Sequence, residues 1–522
     1  MKKYLPLFCL HLCLLMSSTI YAQVPEDALR YSFYPQNGTA RNLAIGGAMG
    51  SLGGDINATF VNPAGLGFYK TGELAISPGF QFSNNKTNYR ETASQNKNSS
   101  FGFGTSGIVE GFLNKNKNNN RSFTSTAISF AVTQTANFNS TINYSGLNNY
   151  SSFGEQFAEE FAKSGRTIDE VLASNSPYPY SSAPALYTYL IDTIKVNGVY
   201  QVKAAPEYIL DAGKAIRQEM NKTTTGGITE LALGFAVNRD DKLFFGGTIG
   251  VPLIHYNSNT NFKESDTSSN NSNHFKSFDY TDNFTTDGVG VNIKVGFIFR
   301  PKEYIRLGLA FHSLTYMSLT DKRSTSFSTQ LENPIGTFSV SSNTFTNDMP
   351  GQVNYGQSTP FKAILSGSYV FREVSDTKKQ RAFITADIEY VHYKGSRFRS
   401  EEKAPTDLDK SYYNSLNKVV ASDYKGNLNF RAGAELKFNI IMARLGFAYY
   451  GNPYQDATFK VNRMLLSGGL GYRNKGVFVD LTYVHSISNN INIPYRLEDR
   501  LNTYATYKQQ MGNIVATVGF KF

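Results

Sequence analysis

The residues best equipped for chemistry in this chain are scattered rather than gathered. His255, His274, His312, His392 and His485 lie far apart, and no HExxH, GxSxG or paired-cysteine motif accompanies them. No spacing of histidine and carboxylate suggests a metal site, so neither an enzyme nor a bound cofactor is expected. Cys9 and Cys13 both fall in the first 22 residues. A chain trimmed there has no thiol for a disulfide, a metal or a nucleophile. What remains is a set of charges: Lys294, Arg306, Asp387, Glu389, Arg431, Glu435, Arg444 and Asp480. Each occupies the polar register of a segment whose alternate residues are apolar. Such mixed signs on facing walls read as a structural ion-pair network, or as one arginine holding a carboxylate through two parallel bonds.

Those charges need elements to position them, and the pattern supplies strands. Leu428, Phe430, Ala432, Ala434, Leu436 and Phe438 alternate with Asn427, Asn429, Arg431, Gly433, Glu435 and Lys437. Val289 to Phe299, Ile305 to Phe311 and Val477 to Tyr483 repeat the same period of two. Fourteen strands are expected, beginning near residues 72, 100, 121, 226, 242, 277, 303, 358, 380, 425, 441, 459, 476 and 505. Short connections alternate with long polar ones near 84–100, 137–225, 262–276, 328–357 and 395–424. That rhythm predicts an all-β, antiparallel transmembrane barrel with periplasmic turns and extracellular loops. Closure follows, because an open edge in lipid leaves backbone groups unpaired.

The composition agrees. Tyr (33), Phe (39) and Gly (44) are abundant, Trp is absent, and mean hydropathy is negative. Only alternate residues of a membrane strand meet lipid, so a polar average is compatible with a membrane protein. Lys2 and Lys3, the apolar run Leu5 to Met16, and small residues up to Ala22 read as a signal peptide over 1–22. Its core is too short to span a bilayer as a helix. Removing it takes the formal charge from +10 to +8, and the remaining basic residues form no nucleic-acid patch. The last strand alternates Ile514, Ala516, Val518, Phe520 and Phe522, the pattern of a signal read by the outer-membrane assembly machinery. The expected location is the outer membrane of a Gram-negative bacterium.

Residues 23–70 do not alternate and are rich in glycine, so they are expected to fold tightly inside the barrel (71–522) as a hatch or plug. The loop 137–225 holds the best helical pattern: Phe153, Phe157 and Phe161 recur every four residues, followed by Leu186 and Leu190. Exposed helices there would form an apolar landing groove; helices packed on one another would cap the barrel. Pro252 breaks a strand and marks a bulge, a rim or an opening in the wall.

The run from Gly38 to Leu74, with Asn62-Pro63-Ala64-Gly65-Leu66 at its centre, resembles the N-terminal hatch of the FadL/TodX family of outer-membrane transporters for hydrophobic compounds. The resemblance implies a fourteen-stranded barrel and passive uptake of long-chain fatty acids, aromatic hydrocarbons or a similar ligand. It implies hatch roles for Asn62, Pro63, Ala64 and Gly65, ligand capture by the loop aromatics, and a gap in the wall. The family's gap involves an early strand, where this chain carries Gly102, Gly104, Gly107 and Gly111. Lys294, Arg306, Arg431 and Arg444 are expected to face the lumen. Expected partners are the hydrophobic ligand, outer-membrane lipid and lipopolysaccharide, and the assembly machinery. A protein-binding secretion shuttle of the same fold, holding a secreted client, is the alternative function.

Overall fold

The computed structural model describes residues 25–114, 123–332, 334–371 and 381–522. The expected signal peptide at 1–22 lies outside them. Fourteen antiparallel strands form a closed barrel: β1 (73–89), β2 (92–113), β3 (125–148), β4 (Ile216–Arg239), β5 (Leu243–Asp266), β6 (Ser277–Lys302), β7 (305–332), β8 (351–371), β9 (382–400), β10 (Gly426–Phe438), β11 (Ile441–Tyr450), β12 (Arg463–Asn474), β13 (Val477–Asn492) and β14 (Ala505–Lys521). β14 closes on β1, with Glu73 opposite Lys521 and Asn88 opposite Thr506. β1, β2, β3, β7, β8 and β9 are each interrupted once by a few residues.

Alternation decides which side chains face lipid. Along β6, Val289, Val291, Ile293 and Val295 are about half exposed, while Asn292 and Lys294 point into the lumen and are buried. The same two-residue rhythm exposes Leu428 and Phe430 of β10 and buries Asn429 and Arg431. The outcome is a continuous apolar belt around a polar interior, the surface a bilayer requires. No helix among the described residues is long and apolar enough to cross a membrane. The barrel is an outer-membrane architecture.

Several strands exceed the roughly 9–11 residues needed to span. β4, β5 and β6 run for 24, 24 and 26 residues and stand well above the belt. Residues 84–100, expected as a loop, are the tall hairpin of β1 and β2, which turns at Arg90 and Glu91. Residues 140–148 and 216–225 of the expected loop 137–225 are strand as well, as are 262–266, 328–332, 335–341, 351–357 and 397–400. Above the membrane the outer face of a strand meets water instead of lipid and turns polar, so the period-two signal fades while the ladder continues.

Residues 25–70 lie inside the barrel as three short helices, α1 (Asp27–Arg30), α2 (Ala40–Ala44) and α3 (Ala58–Val61), and a 3-10 turn at Pro63–Phe68. Ala44, Ile45, Ala48, Ile56, Ala64 and Leu66 are fully buried. Glycines on the strands make room for this segment. A Cβ at Gly296 of β6 would stand 1.8 Å from Asn62 Oδ1, and one at Gly446 of β11 would stand 2.0 Å from the Gly46 nitrogen. Side chains there would displace the segment.

Between the tall strands, the loop 149–215 forms α4 (Glu155–Ser164), α5 (Ile168–Leu172), α6 (Ser182–Tyr187), a small hairpin and α7 (Glu207–Asp211). A further helix, α8 (Asp407–Asp423), follows β9 and starts with a capping box at Thr406 and Asp409.

Candidate functional site: an internal cavity beside a seam in the wall

Asn62 anchors the N-terminal segment. Its amide donates to the Gly50 carbonyl at 2.6 Å and to the Phe297 and Leu309 carbonyls of β6 and β7 at 3.3 Å. Its Oδ1 accepts from the Ala64 amide at 3.1 Å, capping the 3-10 turn that Pro63 begins. Ala64 and Gly65 are buried in that turn. These four residues therefore lie against the wall and contact no open space.

A second set of contacts ties the segment to the strands. The Thr517 hydroxyl accepts from the Ala40 amide at 2.7 Å, and the Thr482 hydroxyl donates to the Ala40 carbonyl at 2.6 Å. Arg306 donates to the Leu52 carbonyl at 2.6 Å and stacks over Phe68. Arg444 pairs with Glu435 at 2.6 Å and Asp480 at 2.5 Å. Arg306 thus holds the segment to the wall, while Arg444 ties wall strands to one another and Arg41 of the segment reaches the same cluster at Glu435, 3.8 Å away.

Lys294 and Arg431 face elsewhere. They line a cavity of about 110 Å³ bounded by Tyr31, Tyr34 and Phe60 of the N-terminal segment and by Pro252, His312 and Lys362 of the wall. Lys294 Nζ contacts Glu230 and donates to Asn292 Oδ1 at 2.7 Å. Arg431 pairs with Glu389 at 3.3 Å, and Asn429 donates to that same carboxylate at 2.8 Å. Lys362 lies 5.3 Å over the Tyr34 ring and forms no ion pair among the described residues. With Lys294, Lys362 and Arg431 against Glu230 and Glu389, the lining carries one cation in excess. An ammonium over an aromatic face, engaged in no ion pair of its own, is chemically suited to the anionic head of an otherwise apolar molecule.

The cavity abuts a break in the wall. β2 pairs with β3 only from Ser106↔Val132 to Leu113↔Ser125. Beyond that point Thr92–Phe103 pairs with β1 and Ser140–Asn148 pairs with β4, and no ladder joins the two. β3 bulges at Thr135, where its register against β4 shifts. Side chains bridge the seam instead. Asn37 donates to the Phe103 and Gln134 carbonyls at 2.9 and 2.7 Å. Asn137 donates to the Ser100 hydroxyl at 3.2 Å, and the Ser94 hydroxyl donates to the Asn143 carbonyl at 2.6 Å. Asn37, Thr133 and Thr135 line both cavity and seam. Pro252 marks no comparable opening: it stays opposite Glu230 of β4, and the β5–β6 ladder resumes in register at Leu253.

The loop residues lie away from this cavity. Phe153, Phe157, Phe161, Leu186 and Leu190 are all less than 10 % exposed and share one core with Phe262, Phe278, Tyr280 and Phe327 on the strand tops. They form a packed cap, not an open groove, because the tall strands offer their apolar side chains a dry partner. Glu155 is buried at the start of α4 and accepts from the Ser152 amide at 2.6 Å; burial pushes its carboxyl up to about 7.

Sequence reasoning missed Asn37, Tyr34 and Lys362, and set His312 apart as an isolated histidine. His312 Nε2 lies 2.9 Å from the Val61 carbonyl, at the cavity wall. The run Phe101-Gly102-Phe103-Gly104, where alternation stops, was the available signal for the seam.

No family model matches this chain, and no curated protein matches it in sequence. Solved structures do match in shape. A Pseudomonas aeruginosa FadL homologue superimposes with a TM-score of 0.51 at 13% identity, covering 93% of this chain and 99% of its own. A deletion mutant of the TodX monoaromatic hydrocarbon channel gives 0.50 at 12%, covering 94% and 100%. The P. putida toluene transporter TodX gives 0.49 at 13%, covering 94% and 99%. The chain is thus a fourteen-stranded outer-membrane barrel with the FadL fold.

Proposed function

We propose that this barrel takes up hydrophobic small molecules across the outer membrane, binding them in the internal cavity and releasing them through the seam between β2 and β3. The single observation that carries the reading is the junction of the two features at Asn37, Thr133 and Thr135. A solute held there reaches the wall without crossing the packed N-terminal segment. That segment (23–70) then serves as a hatch, closing the periplasmic side and supplying Asn37 to the seam, with Asn62 to Gly65 as its anchor. The cap of Phe153, Phe157, Phe161, Leu186 and Leu190 controls entry from outside.

The charged lining favours an amphipathic cargo such as a long-chain fatty acid over a bare hydrocarbon. Its carboxylate meets Lys362, and its chain lies among Tyr31, Tyr34 and Phe60. The fold shared with the FadL homologue and with the deletion mutant of TodX, named as a monoaromatic hydrocarbon channel, supports hydrophobic cargo as a class.

The test is native mass spectrometry with lipid extraction on barrel purified in mild detergent, followed by uptake into proteoliposomes. A retained fatty acid, lost in Lys362→Ala while the variant stays folded, is the expected result. Retention of neutral hydrocarbons alone, unaffected by Lys362→Ala, would overturn the carboxylate reading. An empty barrel that transports neither would overturn uptake itself.

A further inference from the structure

Lys86 of β1 stands directly opposite Lys508 of β14, and the two form neighbouring lipid-side positions of one ladder. Like charges facing each other across an antiparallel pair destabilise it. Lys97 of β2 adds a third cation beside them, opposite Asn84. The cluster has no counter-charge. No Asp or Glu occurs in 74–90, 92–109, 481–497 or 505–522, the stretches of β1, β2, β13 and β14 that build this face. None of the three lysines makes an ion pair among the described residues, whereas Lys263 on another sector faces Asp279 at 3.6 Å.

Just below the lysines the surface becomes an aromatic shelf. Phe82 and Tyr483 stack with ring centroids 6.3 Å apart, and the Tyr483 hydroxyl meets His485 Nδ1 at 3.1 Å. The Phe82 ring lies across Gly512, where a Cβ would come within 2.3 Å of it. Beside it runs a groove of about 480 Å³, lined by Phe82, Lys97, His485 and Gln510. Phe80 and Ile514, both exposed, continue it into the apolar belt. Lys86 is four residues above Phe82, roughly 13 Å along the strand. Cations at that height over interfacial aromatics meet the headgroup layer of the outer leaflet.

We propose that this groove binds a phosphorylated lipid of the outer leaflet, its phosphate between Lys86, Lys97 and Lys508 and an acyl chain along Phe82, Tyr483 and Ile514. The ligand neutralises the Lys86–Lys508 repulsion that the protein leaves uncompensated. It also rests on β2, the strand whose opposite edge borders the seam.

The experiment is native mass spectrometry of the full chain titrated with diphosphoryl lipid A and with the same lipid stripped of phosphate. One diphosphoryl lipid is expected per wild-type barrel. Affinity is expected to fall roughly tenfold or more in Lys86→Gln/Lys508→Gln. The phosphate-free lipid should bind as weakly as the variant does. Lys263→Gln, at a paired site, should bind as wild type, and heat-shifted gel migration checks that each barrel is folded. Lys97→Gln supplies a second variant if the double one fails to assemble. Unchanged affinity in a folded variant, or equal binding of the phosphate-free lipid, would overturn the site. Displacement by inorganic phosphate at equal concentration would reduce it to a bare anion site and overturn the lipid.

Discussion

Asn37 spans the seam between two strands that do not otherwise pair at its height. Its amide donates to Phe103 of β2 at 2.9 Å and to Gln134 of β3 at 2.7 Å. A residue of the N-terminal segment thereby completes the barrel wall. Removing it with Asn37→Ala leaves two carbonyls without a donor, at a cost of about 1–3 kcal/mol. Uptake of apolar solute into proteoliposomes is expected to rise as the seam loosens. Equal uptake and equal urea midpoint would show that Asn37 does not hold the seam.

Asn62 meets three carbonyl oxygens through one amide nitrogen. Asn62→Asp replaces that donor with a carboxylate oxygen facing the same carbonyls. It is expected to destabilise more than Asn62→Ala, which costs about 2 kcal/mol. Limited proteolysis of residues 25–70 reads the release of the segment. An Asp variant as resistant as wild type would contradict this role.

Lys294 and Glu230 form a buried ion pair at the cavity. Glu230→Gln alone leaves the ammonium with Asn292 and is expected to cost about 3–5 kcal/mol. Adding Lys294→Met should recover most of that loss, since the stranded charge is then gone. A double variant no more stable than Glu230→Gln would argue against the pairing.

Glu155 links the extracellular cap to pH. Its carboxyl titrates near 7 when folded, above the usual 4.5, chiefly through burial. The folded cap therefore binds more protons than the open one between those values. Its contribution to stability is complete below about 4.5 and is lost as pH rises through 7. Protection of residues 149–215, read as hydrogen exchange corrected for the intrinsic rate at each pH, should fall from pH 5 to pH 8. Glu155→Gln should lessen the fall, leaving the part due to Glu207 and Glu264, whose carboxyls burial also raises. An identical pH profile in the variant would refute the linkage.

Much of the wall was legible in the sequence, because a membrane strand must show one face to lipid and the other to a polar lumen. Val289 to Val295 and Leu428 to Phe438 carry that rule without help from context. It failed where the outer face leaves the lipid: Asn84 to Ser100 is polar but for Tyr89 and Ala93, yet forms the tallest part of the β1–β2 hairpin. The loop aromatics show the opposite case. Their spacing gave the α4 helix correctly, but whether Phe157 faced water or a core depended on Phe327 and Tyr280, which lie far along the chain.

The order of strands and the lumen-facing register were thus determined by the sequence itself, since each follows from local chemistry repeated along the chain. Tertiary structure alone decided the seam and the cavity. Asn37 and Gln134 stand 97 positions apart, and Lys362 meets Tyr34 across more than 300 residues. Closure of a barrel sets such distances through the summed register of every strand between, and no window of sequence contains that sum.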